Sequence, residues 1–244
     1  MKSHKRSATL SLAPMWAAFD PRLAPVLGID EHLDPVPAER LTPAALRQRF
    51  QSPVEWIPEH STETSFSDRT PAPASVLIPL IMRSEMMLLL TQRADTLSTH
   101  SGQIAFPGGR VDKSDLDAVD TALREANEEI GLPQRDVEVL GTLPIYVTGT
   151  AFIITPVVAL VRPSAPLTPN PGEVADIFEV PLRYLMNPAN HRRHEAVLGG
   201  VGRRWLSMPY LDETRHADGA GTQERFIWGA TAGMLRNLYR FLSA

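Results

Sequence analysis

The chain of 244 residues contains no cysteine, which excludes disulfide frameworks and thiolate metal sites. Any metal must then be held by Asp, Glu or His, a donor set that favours hard cations such as magnesium or manganese. No stretch approaches the ~20 apolar residues that a membrane-spanning helix requires. The N-terminal MKSHKRSATLSLAPMW is basic at first but lacks the apolar core of a secretory signal, so the expected compartment is the cytoplasm. There is no basic excess either: 24 Lys and Arg stand against 28 Asp and Glu, a net charge of −4, which argues against nucleic acid as a partner. Internal repeats and low-complexity tracts are also absent.

What is present divides near residue 72. Residues 1–72 hold nine prolines, at 14, 21, 25, 35, 37, 43, 53, 58 and 71, and read as an N-terminal extension, partly irregular. One short helix is expected over Pro43–Phe50, with Thr42 as its cap and Pro43 at the first helical position. The polar stretch Glu59–Ala74 reads as a linker. From there to residue 244 the pattern is that of a folded domain. Ser75–Met82 and Met86–Thr91 predict a hairpin, and Ile104–Phe106 a short strand that ends in Pro107-Gly108-Gly109. A helix over Leu116–Ile130 is stopped by Gly131 and Pro133. Strands follow at Val137–Val147 and Phe152–Val161, then a proline-rich loop at 163–171. A strand and short helix near Ile177–Met186 and a final helix over Ile227–Leu242 complete the chain. Interleaved strands and helices without a βαβ repeat point to an α/β fold with a mixed sheet and helices on its faces.

The segment with the most chemistry is the helix. At about 100° per residue, Leu116, Val119, Leu123, Ala126 and Ile130 form one apolar stripe. Glu125, Glu128 and Glu129 fall on the other side, at spacings that make them neighbours. Like charges so close, near the helix end where the macrodipole disfavours anions, are unfavourable unless a cation sits among them. Glutamate pairs also decorate many solvated helix faces. The context decides: a strand, a Phe-Pro-Gly-Gly turn, a group of acids and a Gly-stopped helix lie in one block.

The string Arg124-Glu125-Ala126-Asn127-Glu128-Glu129-Ile130-Gly131-Leu132 resembles the REUxEExGU half of the Nudix box at every defined position. In the upstream half, the places for Gly and Glu are taken by Arg110 and Leu116. Gly109 stands fifteen residues before Arg124, so the loop is one residue longer, with Asp115 and Asp117 as candidates for the missing acid. Leu89-Leu90-Thr91-Gln92-Arg93, the run Gly102–Gly109, and Asp112 and Asp115 are similar to the signature of the coenzyme A diphosphatase branch. Glu173–Leu182 and Phe226–Ala232 are similar to it as well. That branch usually has an Arg where this chain has Ser98, which leaves Arg93, His100 and Arg110 as candidate phosphate partners.

The resemblance implies an α/β/α sandwich that hydrolyses a diphosphate bond with magnesium or manganese. It implies metal ligands at Glu125, Glu128 and Glu129, and catalytic roles for Glu125, Glu129, Arg124 and Glu173. Arg93, Gly108 and Gly109 would meet the substrate. For coenzyme A the products would be 3′,5′-ADP and 4′-phosphopantetheine. Another nucleoside diphosphate derivative, ADP-ribose or NADH, is the alternative, and a non-catalytic nucleotide-binding module a weaker one. The partner is thus a small molecule, not a membrane or nucleic acid, and a homodimer is left open. His191, His194 and His216 match no metal pattern and are expected in a loop. Trp205, Trp228 and Tyr146 are expected to pack, as is the stripe Ile227, Thr231, Met234, Leu235, Leu238 and Leu242.

Overall fold

The longest apolar runs become the centre of a mixed sheet. The computed structural model describes residues 19–52, 54–65, 67, 69–95, 102–198, 201–213 and 222–244. In it, β2 (Ala72–Met82) and β8 (Phe152–Val161) pair in parallel, from Ala72 opposite Phe152 to Ile81 opposite Val161. Their near-continuous Val, Ile and Leu content suits strands covered on both faces. β3 (Met86–Arg93), β4 (Ile104–Ala105), β5 (Gly108–Arg110), β6 (Val137–Thr142), β7 (Tyr146–Val147) and β9 (Val174–Pro181) complete this sheet. Its order is β4-β3-β2-β8-β6, with β5 also on β2, β7 on β8 and β9 on β3.

One face is covered by α2, the helix Ala118–Ile130 that follows the short helix α1 (Pro43–Gln51) in the chain. Ala122, Ala126 and Ile130 of α2 pack on Leu77, Ile81, Leu89, Val157 and Val161. The other face, through Ile78, Leu80, Leu88, Val158 and Leu160, packs on α1, on the one-turn helix α3 (Leu182–Leu185) and on α4 (Gly229–Ser243). A second, antiparallel sheet joins that layer: β1 (Val26–Ile29), β10 (Arg192–Leu198), β11 (Val201–Asp212) and β12 (Gln223–Trp228). The α/β sandwich is as expected. The second sheet is not, because its strands are short on alternating apolar residues. No described helix is long and apolar enough to cross a membrane.

Several expectations are corrected. The final helix starts at Gly229, since Trp228 is extended and ends β12. His194 lies within β10 rather than in a loop, whereas His191 lies in the connection just before it, as expected. Both are buried and satisfied, His191 Nε2 by the Leu185 carbonyl at 2.8 Å and His194 Nε2 by Ser207 Oγ at 2.8 Å. His216 lies outside the described residues. Leu116 precedes α2 and is 91% exposed, so it is no part of the apolar stripe.

The extension is knitted into the domain. α1 forms as read, with Thr42 Oγ1 accepting from the Ala45 amide at 3.3 Å, and Leu41 and Leu46 are buried in the main core. β1 pairs with β10. The stretch read as a linker is anchored at Glu59, whose carboxylate meets Arg193, Arg236 and Arg240 at 2.9, 2.7 and 2.8 Å. It is anchored again at Glu63, which accepts from Tyr146 Oη and the Gly149 amide. Those partners lie 80 or more residues away in sequence, where composition cannot reveal them.

Candidate active site

α2 owes its position to both ends. Asp117 caps it, accepting from the Val119 and Asp120 amides, and Gly131 closes it in the left-handed conformation at φ +67°. The proline-rich loop then seals the C-terminus: the Thr168 and Asn170 amides donate to the carbonyls of Ile130 and Glu129. Asp117 is therefore spent on the cap and is not a replacement for the missing box acid.

The helix presents its three glutamates unequally. Glu129 turns inward and is 4% exposed. Its Oε2 accepts from the Gly108 amide at 3.1 Å, and its Oε1 lies 3.9 Å from Arg93 Nη1. Glu125 is half-buried against β5. Glu128 points outward, with its side chain 54% exposed. The three carboxylates thus do not share one solvent-facing side, as helical periodicity alone suggested, because β5 overhangs the helix and covers Glu129. The glycines make that overhang feasible. A Cβ on Gly109 would sit 2.5 Å from the Glu125 carboxylate, and one on Gly108 would sit 2.4 Å from the Ser75 carbonyl. Both close approaches are to protein atoms.

Sheet pairing brings in the remaining residues. β3 and β9 are antiparallel with Arg93 opposite Val174, and the Ala94 amide donates to the Glu173 carbonyl at 2.9 Å. Arg93 and Glu173, eighty positions apart, therefore flank the same edge, and the charge of Glu173 is felt by both Glu125 and Glu129. Burial, reinforced by Glu125 and Glu173, pushes the Glu129 carboxyl up to about 7 against the opposing pull of the Gly108 amide and Arg93. Burial also raises Glu125, with Arg124 opposing. At both carboxyls the cost of burial outweighs the help from Gly108, Arg93 and Arg124.

Arg124 is the best-satisfied side chain of the site. Its Nε and Nη2 hold Asp115 at 2.8 and 3.0 Å, Nη1 holds Glu125 at 2.8 Å and Glu128 at 3.0 Å, and Nη2 also reaches the Arg110 carbonyl at 3.1 Å. The resemblance gave Arg124 a catalytic role; it did not reveal that Asp115 grips it from behind. Arg110 places its guanidinium over the Phe152 ring at 5.3 Å. Ser98 and His100 lie outside the described residues. Trp205 is buried and stacks on His194, Trp228 packs edge-on against Trp205, and Tyr146 is buried against Glu63.

The donor chemistry fits a hard divalent cation, since every inward-facing ligand atom is a carboxylate oxygen and the local charge deficit is positive. Among the described residues no three His, Asp or Glu side chains are gathered closely enough to hold a metal ion, so Glu125, Glu128 and Glu129 are not brought together as a set of three.

A NUDIX domain family model matches residues 71–198. The chain is 39% identical to an uncharacterized Nudix hydrolase NudL of Cronobacter sakazakii over 196 residues, covering 78% of this chain and 91% of the relative. A NudL of Yersinia pestis is 36% identical over 195 residues, with 80% and 92% covered. Among solved structures, the Ap4A hydrolase of C. elegans matches 48% of this chain and 85% of its own at 19% identity, with a TM-score of 0.39.

Proposed function

The chain belongs to the Nudix hydrolase family, which acts on pyrophosphate bonds and generally uses divalent metal ions, and from that premise we propose that it cleaves the diphosphate of coenzyme A or its derivatives to 3′,5′-ADP and 4′-phosphopantetheine. The observation that carries hydrolysis is the buried Glu129 carboxylate beside Glu125, a pair left with too little positive charge. Glu125 and Glu129 would hold magnesium or manganese, with Glu128 an outlying ligand on the exposed side of the helix. When bound, the ion neutralises charge on the diphosphate and makes a water more acidic.

The chain's own groups do the rest. Glu173, exposed at the start of β9, takes the proton as water attacks phosphorus, with Glu125 the other candidate. Arg93, the last residue of β3 and 3.9 Å from Glu129, would meet a phosphate oxygen there. Gly108 and Gly109 keep β5 near enough for its backbone to line the site. Arg124 orients Glu125 and Glu128. Coenzyme A is favoured by the Leu89–Gly109 signature and the Phe226–Ala232 stretch, whereas Ser98 in place of the branch's Arg favours ADP-ribose or NADH. The acidic net charge favours a small molecule over nucleic acid, and the expected compartment is the cytoplasm.

The test is hydrolysis of a panel of coenzyme A, ADP-ribose, NADH and diadenosine polyphosphates, with and without magnesium or manganese, read by product mass. Adenosine 3′,5′-bisphosphate from coenzyme A supports the proposal. Turnover of ADP-ribose or NADH alone replaces the substrate, and no metal-dependent turnover rejects hydrolysis.

A further inference from the structure

We propose that Asp115 is a positioning residue of the hydrolytic site, standing in for the absent box glutamate by holding Arg124 in the one orientation that sets Glu125 and Glu128. This inference rests on the functional reading above.

The box position itself cannot serve. Leu116 faces solvent, and its amide is taken by Asp120 Oδ2 at 3.0 Å. One residue earlier, the Asp115 side chain is only 2% exposed. Its carboxylate accepts four hydrogen bonds: from Arg124 Nε at 2.8 Å and Nη2 at 3.0 Å, from Thr121 Oγ1 at 2.8 Å and from the Asp112 amide at 2.8 Å. The two bonds from Arg124 are a fork on a fork, which fixes the guanidinium plane.

With that plane fixed, the other donors have no choice. Nη1 must divide between Glu125 and Glu128, and the last Nη2 proton reaches the Arg110 carbonyl of β5. All five N–H donors of Arg124 are then used. Neither neighbouring acid can do this job. Asp117 caps α2, and Asp112 accepts from the Ser114 amide and hydroxyl. Asp115 also holds back part of the Arg124 charge. Without it, the freed guanidinium closes on Glu125 with two donors instead of one and neutralises more of a carboxylate that the cation needs. The extra loop residue is thus offset by an acid placed one position early, reaching the arginine from the far side.

The full-length chain is compared with D115N, D115E, R124K and the D115N/R124K double variant. The readouts are kcat, KM, manganese affinity by electron paramagnetic resonance, and melting temperature. D115N should lower kcat by about 10- to 100-fold and weaken manganese binding by about tenfold, while KM stays within about threefold. D115E, which keeps the charge, should recover part of the loss. The double variant should be no worse than R124K alone, because both break one device. A D115N kcat within about threefold of wild type, or fully multiplicative losses in the double variant, overturns the proposal. Should D115N not fold, R124K decides: it keeps the charge but loses the fork, and wild-type kcat and manganese affinity in R124K overturn the proposal. A wild-type chain that neither binds manganese nor cleaves any diphosphate overturns the functional reading beneath it. Turnover by wild type with an unaffected D115N overturns this inference alone.

Discussion

Two glutamates of this molecule, Glu59 and Glu129, sit in opposite electrostatic worlds. Glu59 meets three arginines within 3 Å, and those guanidiniums, against the cost of burial, hold its carboxyl down to about 2. The hub extends through Arg236 to Asp30 at 3.0 Å and to His191, whose Nδ1 accepts from Arg236 Nη1. An arginine can only donate, so the His191 proton is on Nε2, toward the Leu185 carbonyl. Glu129 is more buried but has one arginine at 3.9 Å and two carboxylates nearby. The first cluster is balanced and ties the extension to the domain. The second is left unbalanced, an arrangement typical of a site awaiting a charged ligand.

The sharpest way to break this contrast is to remove each hub in turn. E129Q should lower metal-dependent turnover by about 1,000-fold while the fold persists, as steady-state kinetics and circular dichroism would check. R236M should do the reverse. It takes one partner from Asp30 and one from Glu59, both of which keep Arg193, and should cost about 1–3 kcal/mol in urea denaturation, with kcat of the surviving folded protein nearly unchanged.

The pH dependence sharpens the contrast further. Burial lowers His191 to about 4 from 6.5, so its neutral form contributes stability that is lost as pH falls from 6.5 toward 4. Glu59 adds a loss at lower pH, below 4.5 and through about 2. Glu129 has the opposite sign. Raised from 4.5 to about 7, it is bound to a proton in the fold where the unfolded chain has lost it, so stability falls as pH rises from 4.5 to 7. Without divalent ions, E129Q should be more stable than wild type above pH 7, by up to about 3 kcal/mol, and keep the acid limb. Denaturation curves between pH 4 and 8 would check both limbs. The smallest effect belongs to E128Q: because that carboxylate is exposed and its ion pair is screened, turnover should fall by less than about tenfold.

Much of the site could be read from local sequence rules. The Gly131 stop, the Thr42 cap, the two glycines of β5 and the box acids are signalled within a few residues of where they act. What could not be read depends on partners distant in the chain. Periodicity put Glu129 on an open face, since nothing within α2 announces that β5 lies over it. Leu116 looked like part of an apolar stripe because the wheel does not know that Asp117 starts the helix. Glu59 looked like a linker residue because its three arginines lie more than 130 positions downstream. The resemblance assigned both Arg93 and Glu173 to the site, but only strand pairing shows that they are neighbours.

The most direct test is a manganese titration of the metal-free protein at pH 7.5, following melting temperature in wild type and E129Q. If Glu125 and Glu129 await a cation, wild type should bind manganese and melt higher as it does, and E129Q should lose most of both responses. Equal responses in the two proteins, or none in wild type, would contradict the claim that the charge deficit at Glu129 is a metal site.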